Sequence, residues 1–251
     1  MSVITLTTDF GTVDGYVGEM KGVLASEAPG VALVDLSHDI EPQNVDAARL
    51  LIDRCWRRFP AGTVHLVVVD PGVGSSRGAL AVQCRRQFFV GPDNGVLSSI
   101  LDEAEADVVL LPTPADASAT FHGRDVFAPA AARLARGADL SSLGCPFSGA
   151  LIHADPEPLP LPNGSTLGEV MHADRYGNAI TNIKTAVLPG ATVEVAGHFL
   201  PLRRTYADVQ PGQPLALVGS GGRLEIAVRN GHATGTLGLA RGARVVLNPK
   251  G

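Results

Sequence analysis

The first 145 residues alternate short apolar runs with longer amphipathic stretches. "VITLTTD" (3–9), "VALVDLS" (31–37), "TVHLVVVD" (63–70) and "DVVLLP" (107–112) are rich in strand-forming residues. Their nearly continuous apolar character predicts strands buried on both faces. Between them, "GYVGEMKGVLASEAPG" (15–30) predicts a helix stopped by Pro-Gly. "NVDAARLLIDRCWRRF" (44–59) predicts an amphipathic helix, with Val45, Ala48, Leu51 and Ile52 at helical spacing. Its last turn is cationic, as the helix dipole favours. "GVLSSILDEA" (95–104) and "DVFAPAAARLARG" (125–137) predict two further helices, and "LAVQCRRQFFVG" (80–91) a hairpin or two short strands. The expectation is an α/β domain over residues 1–152, a largely parallel sheet with helices on both faces.

The texture then changes. "HADPEPLPLPNG" (153–164) carries alternating prolines and predicts an extended linker. Residues 165–251 show short alternating β patterns separated by Gly-rich turns, with no helical periodicity. They predict a smaller all-β domain, an antiparallel barrel.

Composition narrows the function classes. Charged residues are 18% of the 251-residue chain and the formal net charge is −5. No Lys/Arg run exceeds two, so neither nucleic acid nor an anionic membrane is an expected partner. No apolar run approaches the ~18 residues that would span a bilayer, and "MSVITLTTDFG" reads as a strand start rather than a signal peptide. The three cysteines are far apart and form no CxxC, so neither a zinc cluster nor a disulfide framework is expected. A reducing cytoplasm fits best.

Ligand-binding loops of an open α/β sheet lie at the carboxyl ends of its strands. Three aspartates fall there: Asp9 in "TTDFG", Asp70 in "VVVDPGVGSSR" and Asp93 in "GPDNG". An aspartate at a strand end is often only a turn or cap residue, and "PDNG" is a strong turn sequence. Asp70 differs. A run of valines leads into it, Pro71 follows where a helix cap would begin, and Arg77 comes seven residues later. "TFHGRDVF" adds His122 and Gly123 just before a predicted helix, with Arg124 and Asp125 as a helix-start pair. In the β domain, "HADRYGNAITNI" groups Asp174, Tyr176, Asn178 and Asn182 around one glycine. It reads either as a hairpin turn with Asn in the left-handed conformation or as a polar pocket rim, where amides could read a purine edge.

The ordered stretches "TTDFGTVDGYVGEMKG", "DLSHDI", "VVVDPGVGSSR", "GPDNG", "FHGRD" and "DRYGNAITNI" span nearly the whole chain. Together they resemble the S-adenosylmethionine hydroxide adenosyltransferases, relatives of the bacterial fluorinase and chlorinase. The resemblance implies an N-terminal α/β domain, a C-terminal antiparallel barrel and a homotrimer. The substrate would lie between the N-domain of one subunit and the C-domain of its neighbour. The water-activating trio of the family falls on Asp70, Arg77 and His122. Asp9 falls on the position holding the ribose hydroxyls, Asp14 lies near the methionine end, and Phe121 matches an aromatic lining the pocket. Asp174 falls on the position that binds the methionine amino group, Asn178 on the adenine-reading amide, and Ser220 on a serine near the carboxylate. Three positions depart from the halogenases: Gly221 replaces an arginine, Gln43 a tryptophan and Gly123 a halide-holding serine.

The implied reaction suits these residue types. A sulfonium departs as a neutral thioether, so no acid is needed at sulfur, and the demand falls on the nucleophile. Water has a pKa of about 15.7 and needs activation. A fixed guanidinium stabilises a developing hydroxide, while a carboxylate and an imidazole accept or relay its proton. A carboxylate beside the nucleophile repels a halide, which favours water over fluoride or chloride. No metal or cofactor is expected. A non-catalytic S-adenosylmethionine or adenosine binder, a halide-using adenosyl halogenase and a metal-dependent hydrolase are the competing readings.

Overall fold

A computed structural model describes residues 2–147, 151–152 and 156–249. The chain divides into two compact units, Met1–Asp155 and Pro156–Gly251. Residues 153–155 of the expected linker lie outside the described residues. Part of the remainder is ordered as strand: β8 (Leu159–Pro160) pairs antiparallel with β9 (Thr166–Ala173).

The first unit is built on seven strands: β1 (Val3–Thr8), β2 (Ala32–Ser37), β3 (Val64–Val68), β4 (Ala79–Cys84), β5 (Gln87–Pro92), β6 (Ala106–Leu110) and β7 (Cys145–Pro146). Their order is β2-β1-β3-β5-β4-β6-β7. The pairs β1–β2, β1–β3 and β3–β5 are parallel, while β5–β4, β4–β6 and β6–β7 are antiparallel. The sheet is therefore mixed rather than largely parallel. The reversal comes from the two-residue turn between β4 and β5, where Arg85 takes φ 54°.

Helices do cover both faces. Met20 and Leu24 of α1 (Tyr16–Glu27) and the alanine-rich α4 (Ala128–Ala135) bury Ile4, Leu6, Val64, Leu66 and Val68. On the other face, Ala48 and Ile52 of α2 (Val45–Cys55), with Trp56 and with Ile100 of α3 (Ser98–Leu101), bury Val67, Val69, Leu80 and Val82. The alternation along β3 assigns successive valines to opposite faces.

Two predicted helices are shorter than their patterns. Only four residues of 95–104 are helical. Gly95 sits at φ 91° and an Asx turn from Asn94 to the Val96 amide delays the start. In 125–137, a wide π-type turn (Gly123–Phe127) precedes α4. Pro129 has no N–H to give to the carbonyl four residues back, so the register slips outward at the helix start.

In the second unit, β9, β10 (Ala179–Lys184), β14 (Arg223–Val228), β13 (Pro214–Val218), β12 (His198–Arg203), β11 (Thr192–Val195) and β15 (Arg244–Asn248) close into a barrel through the β10–β9 pairing. Val193, Val195, Leu224, Ile226 and Val245 fill its core. The barrel is not wholly antiparallel: β12 and β13 run parallel, because the connection 204–213 carries the chain back before β13 begins. A short helix α5 (Ala233–Leu237) follows β14, although the sequence shows no helical period there. Its His232 cap accepts from the Gly235 amide.

Candidate active site

The carboxyl ends of β1 and β3 lie side by side, with Thr8 opposite Val68. Asp9 and Asp70 therefore emerge at the same sheet edge. The residues after Asp70 turn back on themselves through Val73 N–H to Asp70 O (3.2 Å) and Ser75 N–H to Gly72 O (3.1 Å). Gly74, at φ 77°, is required in this turn: a Cβ there would stand 2.5 Å from the Ala119 carbonyl oxygen. The turn returns Arg77 onto Asp70. Its Nε donates to both carboxylate oxygens at 3.0 Å, and its Nη2 donates to Oδ2. The two side chains are only 7% and 5% exposed.

The same Nη2 lies 2.8 Å from His122 Nδ1. A guanidinium can only donate, so Nδ1 is the acceptor and the ring proton is assigned to Nε2. Burial lowers the His122 pKa from its ordinary value, and the Arg77 charge lowers it further against opposing pulls from Asp70 and Asp125. His122 is therefore a neutral imidazole that presents an N–H. The sequence reading has His122 accept or relay a proton; with Nδ1 taken by Arg77, the N–H at Nε2 is what the ring offers. The segment after it is tied down by polar contacts: Arg124 pairs with Asp125 and, at 2.7 Å, with Glu19, and Asp125 accepts the Ser118 amide at 2.8 Å. This is the structural role expected for Arg124 and Asp125.

Phe121 packs edge-on against Phe10 (5.8 Å) and Tyr16 (5.3 Å). Gly123 has little room to be anything larger: a Cβ would meet Met20 Sδ and Phe121 at 3.2 Å and Val68 at 3.3 Å. Asp9 accepts the Gln43 amide at 2.8 Å. Asp14 is exposed in the loop before α1. Asp93 is buried and accepts the Ile152 amide.

In the second unit, Asp174 Oδ1 accepts the amides of Tyr176 and Asn178, and its Oδ2 accepts from Asn178 Nδ2, all at 2.9 Å. The left-handed residue of this turn is Gly177 (φ 79°), not an asparagine. Gly177 packs directly on the His232 ring, so "DRYGN" meets "NGHATG". Ser220 is exposed in the β13–β14 turn.

Asp70, Arg77 and His122 thus form one hydrogen-bonded cluster in the first unit, and Asp174 and Asn178 form another in the second. Sequence reasoning passed over Asn94, whose Nδ2 donates to Val69 O at 2.9 Å and so holds the backbone next to Asp70. It also passed over Tyr206, whose hydroxyl lies 3.5 Å from Asn178 Nδ2. The strong turn signal of "PDNG" concealed the first; no local signal marks the second. Among the described residues no group of three metal-ligating side chains occurs.

Residues 4–144 match the SAM hydroxide adenosyltransferase N-terminal domain, and residues 168–246 match the corresponding C-terminal domain. A protein named (R)-S-adenosyl-L-methionine hydrolase from Thermus thermophilus is 43% identical, over 98% of this chain and 100% of its own. A fluorinase from an Actinoplanes strain is 29% identical, over 90% of each. The crystal structure of an uncharacterized conserved protein from Thermotoga maritima superposes with a TM-score of 0.88 at 32% identity, covering 99% of this chain and 100% of that one. With both of its domains matched in order and near-complete coverage at 43% identity, the chain belongs to the SAM hydroxide adenosyltransferase family.

Proposed function

We propose that this chain hydrolyses S-adenosyl-L-methionine to adenosine and L-methionine. The observation that carries the reading is the buried Asp70 carboxylate, bonded through Arg77 to a neutral His122. Water attacks the ribose 5′ carbon in line with the C–S bond. The C–O bond forms as the C–S pair withdraws onto sulfur, and methionine leaves as a neutral thioether. The water proton passes to Asp70, whose Oδ1 carries a single guanidinium hydrogen bond and keeps a lone pair for it. The His122 Nε2–H orients the incoming oxygen, and Arg77 stabilises its developing negative charge.

A halide in the same place would face the Asp70 carboxylate with no proton to surrender, and would be repelled. The fit of Asp9 to the ribose, of Asp14, Phe121 and Ser220 to the rest of the substrate, and of Asp174 and Asn178 to the methionine amine and adenine remains part of this proposal. So does a homotrimer that joins the two sets of residues across subunits. The reaction as drawn needs no cofactor. A cytoplasmic setting agrees with three free cysteines.

The reading is tested by incubating the protein with S-adenosylmethionine in ¹⁸O-labelled water, with and without a chelator, in chloride and in fluoride buffers. Label should appear in the adenosine 5′-hydroxyl and not in methionine, under every condition. A halogenated adenosine as the main product, loss of turnover with chelator, or no turnover would overturn it.

A further inference from the structure

The turn that carries Asp9 has little regular structure of its own. Residues 12–16 are exposed, and Val13 is 97% exposed. Three hydrogen bonds nevertheless tie the turn to the neighbouring loop 38–43. The Gly11 amide donates to His38 O at 2.8 Å, the Gln43 amide donates to Asp9 Oδ2 at 2.8 Å, and Thr8 Oγ1 lies 2.8 Å from His38 Nδ1. Two of the three pass through one residue. His38 is buried, and Thr8 is fully buried beneath it.

The polar contacts along this path converge on Asp35. His38 Nε2 lies 3.1 Å from Asp35 Oδ1, and Lys21 donates to Asp35 Oδ2 at 2.7 Å. Burial pushes the Asp35 carboxyl up, but the Lys21 hydrogen bond and the nearby His38 and Lys21 outweigh that and bring its pKa below the ordinary value. Nε2 lies within ion-pair distance of that anion, though outside hydrogen-bond geometry, and the carboxylate favours the ring proton on that side. Nδ1 is left to accept from the Thr8 hydroxyl, whose oxygen in turn accepts the Phe10 amide at 3.3 Å. The imidazole thereby fixes the hydroxyl that fixes the backbone directly after Asp9.

We propose that His38 is a positioning residue for Asp9, holding its carboxylate at the sheet edge where the ribose hydroxyls would bind. This rests on the ribose-binding reading of Asp9. A residue that presets a ground-state contact changes KM and leaves kcat nearly alone, whereas a residue that only supports the fold changes stability or active fraction.

The geometry also separates two conservative replacements. Asparagine places a polar atom near Nδ1 and can still reach Thr8. Glutamine places one near Nε2 and can reach only Asp35.

The experiment measures KM, kcat and melting temperature for His38→Ala, His38→Asn, His38→Gln and Thr8→Val, with Asp9→Asn as the reference. His38→Ala, His38→Gln and Thr8→Val should each raise KM roughly tenfold, about 1.4 kcal/mol, with kcat within about twofold. His38→Asn should return KM to near the parent value. A KM unchanged in His38→Ala while Asp9→Asn raises it would overturn the proposal, as would a fall in kcat with KM constant. An unchanged KM in Asp9→Asn would instead overturn the reading of Asp9. If His38→Ala does not fold, Thr8→Val against His38→Asn gives the same decision.

Discussion

Two aspartates, one in each unit, organise polar clusters of opposite character. Asp70 is bonded to side chains that the chain must bring from 7 and, through Arg77, 45 residues further along. Its partners are charged or titratable and all are nearly buried. Asp174 spends its oxygens on its own turn, at the amides two and four residues on and the side chain of Asn178. The second arrangement is what a tight turn needs in any protein. The first costs folding free energy, because removing two ions from water carries a penalty of several kcal/mol each that their attraction only partly returns. A cluster that the fold would be better without is where chemistry is to be sought. A turn that satisfies itself becomes a binding surface only through the groups around it that stay exposed, such as the rings of Tyr176 and Tyr206.

Breaking each cluster should expose the contrast. Arg77→Met fills similar space but strands the Asp70 carboxylate in a buried position. The expected loss is about 3–5 kcal/mol, seen as a drop of roughly 10 °C in melting temperature, together with loss of turnover. A loss below about 1 kcal/mol would mean that water reaches Asp70 freely and that the pair is not buried in solution. Asp174→Ala removes three hydrogen bonds, but between uncharged donors and a half-buried carboxylate that water can still reach. Denaturant titration should show a smaller loss of about 1–2 kcal/mol. Its kcat should persist while KM rises, and a fall in kcat matching that of an Asp70 variant would erase the distinction between the two regions.

The sequence carried the strands, the two-face coverage and the two-unit plan, because apolar periodicity and a proline-rich junction are local signals. Asp70, Arg77 and His122 were legible as a trio only through the family motifs, since nothing in their spacing says that Arg77 turns back onto Asp70. The mixed sheet was hidden because a two-residue turn decides direction while leaving the apolar pattern unchanged. The parallel β12–β13 pair was hidden for a similar reason, its direction being set by a polar connection. The tautomer of His122 and the clamps from Asn94 and His38 depend on contacts between distant segments. A turn signal such as "PDNG" or a lone histidine in "DLSHDI" does not announce them.

The central claim is that Asp70 takes part in the chemistry and not in holding the substrate. Its most direct test is the separation of turnover from binding in Asp70→Asn, which keeps the shape and removes the charge. The turnover number should fall by ~10²–10⁴. The dissociation constant for S-adenosylmethionine, measured by calorimetry, should stay within about tenfold of the parent, ~1.4 kcal/mol. An unchanged turnover number, or a loss of affinity as large as the loss of rate, would contradict the account.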